Sequence, residues 1–333
     1  MNNPNEPRCV LVIQTAFLGD IVLTIPLIRA LRKYRPEMEL LFLTTPVGKS
    51  LLDGQHIVDK IIVYDKRGAD KGPGALAKKI KEIRGHHIDT VISPHRSLRS
   101  GTVALLSGAK RRIGYALPHL VPFYNVRLKR HRDMHEIDRI LALLKPFDLR
   151  LSEQDRYPSL KTRNTARSKG VIGIAPGSTW GTKQWTEEGY AGLMRRLAKN
   201  GSSTMLIGNS SDRKVSDRIK SMAGVRTKDM TGTTDVVGLA ELLSGLELLV
   251  TNDNGAMQVA QAVNTPIVAI FGPTVPGQGF APIRANTLVI ENAGLSCRPC
   301  SAHGPMECPE GHFLCMKAVT PDAVFEAVKG MMG

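Results

Sequence analysis

The chain has 333 residues, 42% hydrophobic and 23% charged, which excludes a disordered or fibrous protein and leaves room for one large core or two of ordinary size. Its 45 Lys and Arg against 30 Asp and Glu give a net charge of +15, a surplus suited to phosphate-bearing partners or an anionic membrane surface. Aromatic residues make up only 5% and are not interleaved with the basic ones, so no base-stacking platform and no nucleic-acid partner is expected.

The polar start, MNNPNEPR, runs directly into the strand-like CVLVIQ, a pattern without the features of a signal peptide. No apolar run approaches the roughly 18–20 residues of a membrane span, and a cytoplasmic address is the expectation. The five cysteines, an odd number with four crowded near the C-terminus, do not read as a disulfide framework.

In chain order, a buried strand is predicted over 9–14, then a helix over 21–34 with Leu23, Leu27, Ala30, Leu31 and Tyr34 at helical spacing. Strands follow at 40–43, 60–64 and 90–93, separated by helical or basic stretches such as 74–84. Positions 152–170 turn polar and lose periodicity, as an interdomain segment would, which sets the expected domains at 1–165 and 166–318. Alternation restarts with strands at 171–175, 204–207, 246–251, 266–271 and 287–291, and helices at 187–199, 212–222, 236–244 and 255–263. Thr186 and the pair Asn200-Gly201 are suited to cap the first of these helices. Thr320-Pro321-Asp322 opens a last helix over 319–333, expected to pack back toward the N-terminal domain. Two successive parallel α/β units bind ligands outside the carboxyl ends of their strands, so the expected site is a cleft between them.

The loop after the first strand, Thr15-Ala16-Phe17-Leu18-Gly19-Asp20, is not the glycine-rich turn of a dinucleotide binder. Asp20, at a strand end that becomes a helix start, suits either a general base or a helix cap. The helix dipole pulls against the first role, because it lowers a carboxylate's pKa. In the second half, Ala175-Pro176-Gly177-Ser178-Thr179 leads to Lys183, the ingredients of an anion site or of a plain turn with a solvated lysine. Thr251-Asn252-Asp253-Asn254-Gly255 is a polar corner where orphan N–H groups could hold a diphosphate, with Asp253 orienting the loop, capping the helix or touching the sugar. Thr274, in the turn Phe271-Gly272-Pro273-Thr274, lies at the next strand end. Cys297, Cys300, Cys308 and Cys315 could close a structural zinc site or remain reduced thiols.

Taken together, QTAFLGD, ISPHRSLRS, APGSTWGTKQW, TNDNGAMQVAQAV, FGPT and the cysteine-bearing tail ending in CMKAVTPDAV resemble glycosyltransferase family 9, the heptosyltransferases of lipopolysaccharide inner-core assembly, and within it the heptosyltransferase II branch. The resemblance spans essentially the whole chain. It implies an α/β GT-B architecture, two Rossmann-like domains with parallel sheets facing across a cleft, acceptor on the N-terminal side and nucleotide sugar on the C-terminal side. Position by position, Asp20 matches the catalytic base and Lys183 the lysine at the donor diphosphate. Asp253, Asn254 and Gly255 match the donor-binding aspartate and phosphate-contacting loop, and Ser178 and Thr179 match the donor-side loop. Gln258 stands where the family commonly has His; it can hydrogen-bond but cannot become cationic near pH 7.

The implied reaction is inverting transfer of heptose from ADP-L-glycero-D-manno-heptose to a lipid-linked lipopolysaccharide core acceptor, without a divalent metal or other cofactor, and with peripheral contact at the cytoplasmic face of the inner membrane. The first 160 residues carry 27 basic and 16 acidic side chains, the remainder 18 and 14. Arg96 and Arg99, following a strand end, are the expected acceptor contacts. Two rival functions remain open on sequence: a GT-B transferase or epimerase using another nucleotide sugar, and a non-catalytic phosphate or nucleic-acid binding protein.

Overall fold

The computed structural model describes residues 7–163 and 166–332, and the chain divides into two compact units, Met1–Pro158 and Ser159–Gly333. The polar start at 1–6, on which the signal-peptide expectation partly rests, and residues 164–165, at the expected boundary, lie outside the described residues. The division falls several residues before that boundary for a local reason. The Leu160 backbone N–H donates to Ala262 O at 3.0 Å, and Arg163 N–H to the Glu241 carboxylate at 3.0 Å. Hydrogen bonds to the second unit thus claim the chain before its polar stretch has ended.

The first unit runs β1 (Cys9–Gln14), α1 (Leu18–Tyr34), β2 (Glu39–Thr44), α2 (Pro46–Leu52), β3 (Lys60–Val63), α3 (Pro73–Arg84), β4 (Thr90–Ile92), α4 (Leu98–Leu106), β5 (Arg111–Tyr115), β6 (Val126–Leu128) and α5 (Glu136–Leu141). All six strands are parallel, in the order β3-β2-β1-β4-β5-β6. Every residue of β1 is buried, as expected of a central parallel strand covered on both faces, which needs a continuous apolar run. Sequence reading missed β5 and β6. β5 opens on Arg111 and Arg112, whose side chains leave the strand for the carbonyls of Pro146 and of Phe123 and Ala109.

The second unit runs β7 (Ser168–Ala175), α6 (Glu187–Lys199), β8 (Ser203–Leu206), α7 (Arg213–Ala223), β9 (Thr227–Asp229), α8 (Val236–Ser244), β10 (Leu246–Asn252), α9 (Gly255–Ala262), β11 (Ile267–Phe271), β12 (Thr287–Glu291), α10 (Leu314–Lys317) and α11 (Pro321–Met332). Its parallel sheet is ordered β12-β11-β10-β7-β8-β9. Counted from its own first strand, this repeats the order of the first unit. In both, the order reverses beside the first strand, between β1 and β4 and between β7 and β10, where doubly wound sheets open a ligand crevice.

Thr186 caps α6, accepting from Gly189 N–H at 3.0 Å, and Gly201 leaves the helix at φ +80°. Thr320 Oγ1 accepts from Ala323 N–H at 3.2 Å at the start of α11. The apolar face of α11, Val324 and Val328, enters the second unit's own core beside Trp185, Tyr190 and Met316. Asp322 is paired with Arg196 of α6. A helix with two buried valines spends its apolar surface where that core is nearest.

Candidate active site

At the reversal point of the first unit, α1 begins three residues earlier than the periodicity predicts, with Phe17 as its N-cap residue. Asp20 therefore lies in the first turn and is not the cap. Gln14, buried at the end of β1, holds the loop: its side-chain amide donates to Thr24 Oγ1 at 3.1 Å and its carbonyl oxygen accepts from Ala16 N–H at 3.3 Å. Thr24 in turn donates to Asp20 O at 2.8 Å.

The carboxyl of Asp20 is pushed up to about 6, first by burial and second by the negative charge of Glu136; the Phe17 N–H and Arg96 pull the other way. Desolvation therefore outweighs the helix terminus, and the tension between dipole and basicity resolves in favour of the base. Among the described residues, no ion pair of the Asp20 side chain is seen.

Around this carboxylate stand cations supplied by the strand-end loops. The Lys66 ammonium donates to Thr15 O at 2.6 Å, and burial together with Arg67 and Arg99 lowers its pKa. Arg96, in the loop after β4, and Arg99, in the first turn of α4, are exposed. Between them and Thr15, His95 is held at about 4 by burial and by Lys66 and Arg96, so the ring is neutral at pH 7. Its Nδ1 lies 2.8 Å from Ser100 Oγ, 3.1 Å from Thr15 Oγ1 and 3.4 Å from Ser97 Oγ. Glu136 is itself buried and paired with Arg130 and Arg139.

The reversal point of the second unit is built differently. Asn252, buried at the end of β10, donates to Pro176 O at 2.7 Å and accepts from Trp185 N–H at 3.0 Å and the Tyr190 hydroxyl at 2.9 Å. Asn254 caps α9, accepting from Met257 N–H at 3.0 Å, while its amide donates to Gly177 O at 2.8 Å. The ends of β7 and β10 are thereby laced together. Gly177 is also pressed against the turn before α7, where a Cβ would lie 2.3 Å from the Asp212 side chain. Ser178 O accepts from the Gln184 amide at 2.9 Å, and Thr179 is exposed at the mouth of the loop.

Lys183 Nζ reaches Asp253 Oδ2 at 2.5 Å, and Thr274 Oγ1 donates to the same oxygen at 2.8 Å. Asp253 is thus neither cap nor isolated acid. It orients the lysine, and Thr274 steadies the carboxylate. Thr182, beside the lysine, is tied by its hydroxyl to Pro305 O, so the cysteine-bearing tail supports this loop. Gly255 opens α9 with its N–H at the same edge.

Gln258 is 3% exposed, its amide donates to Phe280 O at 2.8 Å and its carbonyl oxygen accepts from Gln261. Both ends being engaged, the side chain is held between the loop around residue 280 and its own helix. Among the described residues no group of three or more His, Cys, Asp or Glu could hold a metal ion. Of the thiols that could close a zinc site or remain reduced, Cys315 packs in the core and Cys300 Sγ donates to Cys297 O at 3.3 Å. Burial and, after it, the neighbouring Cys300, Cys308 and Cys297 push Cys315 up to about 11.

Sequence reasoning missed Lys66 as the group closing the Thr15 loop, His95 as a neutral ring, and Glu136 as the charge acting on Asp20. His95 was within sight, directly after a predicted strand. Nothing local marks Glu136, which lies 116 positions beyond Asp20 and reaches it only through the fold.

Comparison with known proteins agrees with this architecture. Lipooligosaccharide heptosyltransferase 2 of Campylobacter jejuni is 22% identical over 323 residues, covering 94% of this chain and 96% of that protein. The crystal structure of a family 9 glycosyl transferase from Veillonella parvula superimposes with a TM-score of 0.86 at 22% identity, over 98% of this chain and 97% of that one. Escherichia coli ADP-heptose lps heptosyltransferase II gives a TM-score of 0.78 at 22% identity, over 97% and 98%. Residues 76–311 match the sequence model of Glycosyltransferase family 9 (heptosyltransferase), a span of more than half the chain that takes in β4, β5 and β6 of the first sheet and every strand of the second, and the chain belongs to that family.

Proposed function

We propose that this protein is an inverting glycosyltransferase of the heptosyltransferase II type, moving heptose from ADP-L-glycero-D-manno-heptose to the lipopolysaccharide inner core. The observation that carries the reading is the contrast between the two reversal points: a lone carboxylate with raised basicity in the first unit, and a lysine held by a carboxylate beside a helix start in the second.

In this reaction an acceptor hydroxyl oxygen bonds to the anomeric carbon of the donor, its proton passes to Asp20, and the bond from that carbon to the diphosphate oxygen breaks. ADP leaves with the electron pair and the configuration inverts. Asp20 is stronger as a base than an ordinary carboxylate yet still ionised at pH 7. Lys183, the N–H groups at the start of α9 and the Ser178-Thr179 loop stabilise the charge gathering on ADP. These fixed positive groups can do that work without a divalent metal. Arg96 and Arg99 meet the phosphates and acidic sugars of the acceptor, so salt is expected to weaken acceptor binding more than donor binding.

Among the described residues no helix is long and apolar enough to cross a membrane; the enzyme is proposed to work in the cytoplasm on an acceptor carried by the inner membrane. The test is incubation of the purified protein with ADP-heptose and core acceptors of defined length, following ADP by mass spectrometry. Acceptor-dependent ADP release is expected. Sugar conversion without an acceptor would favour the epimerase alternative. Turnover with a different nucleotide sugar, and none with any heptose donor, would keep the family and overturn the donor.

A further inference from the structure

We propose that α4, with the Pro118–Leu120 turn beside it, is the face by which this protein docks on an anionic lipid bilayer. The proposal rests on the transferase reading above for its biological setting and on the following geometry for its place.

α4 buries Ser100, Gly101, Val103 and Ala104. The opposite side carries Leu98 (56% exposed), Leu105 (41%) and Leu106 (39%), which at 100° per residue fall within one arc of the helix with Thr102. The Thr102 hydroxyl donates back to Leu98 O at 3.0 Å, so the one polar group on the stripe is satisfied by the helix itself. Phe123 packs on Gly101, where a Cβ would lie 2.7 Å from its ring, and this seats the 118–123 segment along the flank of α4. Val121, 38% exposed, is carried on that segment. Large apolar side chains gathered on one face in this way mark an interaction surface.

Charge identifies the partner. Arg96 and Arg99 stand at the N-terminal end of the stripe, and Arg84 and Lys110 at its C-terminal end, all exposed. Arg84 is fixed there by its Nε–H donating to Leu106 O at 2.8 Å. α4 itself has no acidic residue. An apolar stripe flanked by cations inserts its leucines below lipid headgroups while the cations meet anionic phosphates. The surface is also continuous with the acceptor end of the site, because Ser97, the cap of α4, lies 3.4 Å from His95 Nδ1. A lipid-borne acceptor would then arrive at the edge that holds Asp20.

The experiment is co-sedimentation of the full chain with vesicles of phosphatidylethanolamine and phosphatidylglycerol at 3:1, and with phosphatidylcholine alone, in parallel with turnover on a deacylated, water-soluble acceptor. The native protein should bind the anionic vesicles and leave phosphatidylcholine in solution. Leu98→Gln/Leu105→Gln is expected to weaken vesicle binding about ten-fold or more. Arg84→Gln/Lys110→Gln should weaken it by a smaller factor that vanishes in high salt. Both pairs should leave turnover on the soluble acceptor unchanged. Full vesicle binding by the leucine variant, or no binding by the native protein, overturns the docking face while the transferase reading stands. A native dimer that the leucine variant converts to a monomer, without vesicle binding, overturns it in favour of a protein interface. Vesicle binding abolished by the leucine pair, with no turnover on any heptose donor, supports the face and sinks the donor assignment instead.

Discussion

The two units share one strand order and each places a carboxylate where that order reverses, one after the first strand and the other after the fourth, yet they treat it in opposite ways. Asp20, after the first strand of the first sheet, lies among side chains that bury it and beside a second negative charge, and its pKa rises to about 6. Asp253, after the fourth strand of the second, is paired with a lysine and a threonine. One fold thus makes a base from one carboxylate and a bracket for a cation from another. Partners decide the role, and topology only decides the place.

The comparison breaks most easily at Asp20. Asp20→Asn should lower turnover about 10²–10⁴-fold, as loss of a general base does, with donor affinity retained. The same change should make the protein more stable at neutral pH. The folded-state pKa lies above its ordinary value of 3.8, so the cost of ionising the group in the folded state is absent below about 4, grows toward 6 and is complete above it, reaching about 2–3 kcal/mol. Urea melts at pH 4 and pH 8 check this, the stabilisation appearing only at the higher pH. Equal destabilisation at both would mean that Asp20 holds the fold together.

Lys183→Met should cost about 10²–10³-fold in turnover and, unlike the first change, about 3 kcal/mol of stability, because Asp253 is left buried and unpaired. Adding Asp253→Asn should restore most of the stability and none of the turnover. Recovery of both would remove the lysine from the chemistry.

Between these lies a measurement that sharpens the role of Glu136. The profile of kcat/KM should fall on the acid side with a midpoint near 6, where Asp20 takes up its proton. Glu136→Gln removes a neighbouring negative charge and should move that midpoint to lower pH. A midpoint that stays in place would show that burial alone sets the basicity. The smallest effect is expected at Asn254→Ala, about 1 kcal/mol of stability from the lost cap with a rise in donor KM, read by thermal unfolding and by donor titration.

Much of the architecture was legible because parallel strands covered on both faces must be apolar throughout. β1, β10 and β11 announce themselves for that reason, and helices such as α6 by spacing and caps. β5 did not, since Arg111 and Arg112, whose heads leave the strand for carbonyls outside it, disguise it as a basic loop. Asp20, Lys183, Asp253 and Asn254 could be singled out as polar residues at strand ends. The Phe280 partner of Gln258 was not legible, because a polar residue one turn into a helix reads the same whether it faces a ligand or a backbone carbonyl.

The order of residues along this chain was enough to determine two alternating α/β units, their polar corners and the family to which they belong, because periodicity, caps and strand-end loops are properties of neighbours in sequence. Only the tertiary structure decided that Asp20 would be basic and that Asp253 would be bound to Lys183 70 positions away. Burial and charge act through space, and groups remote in sequence meet only once the sheets have formed.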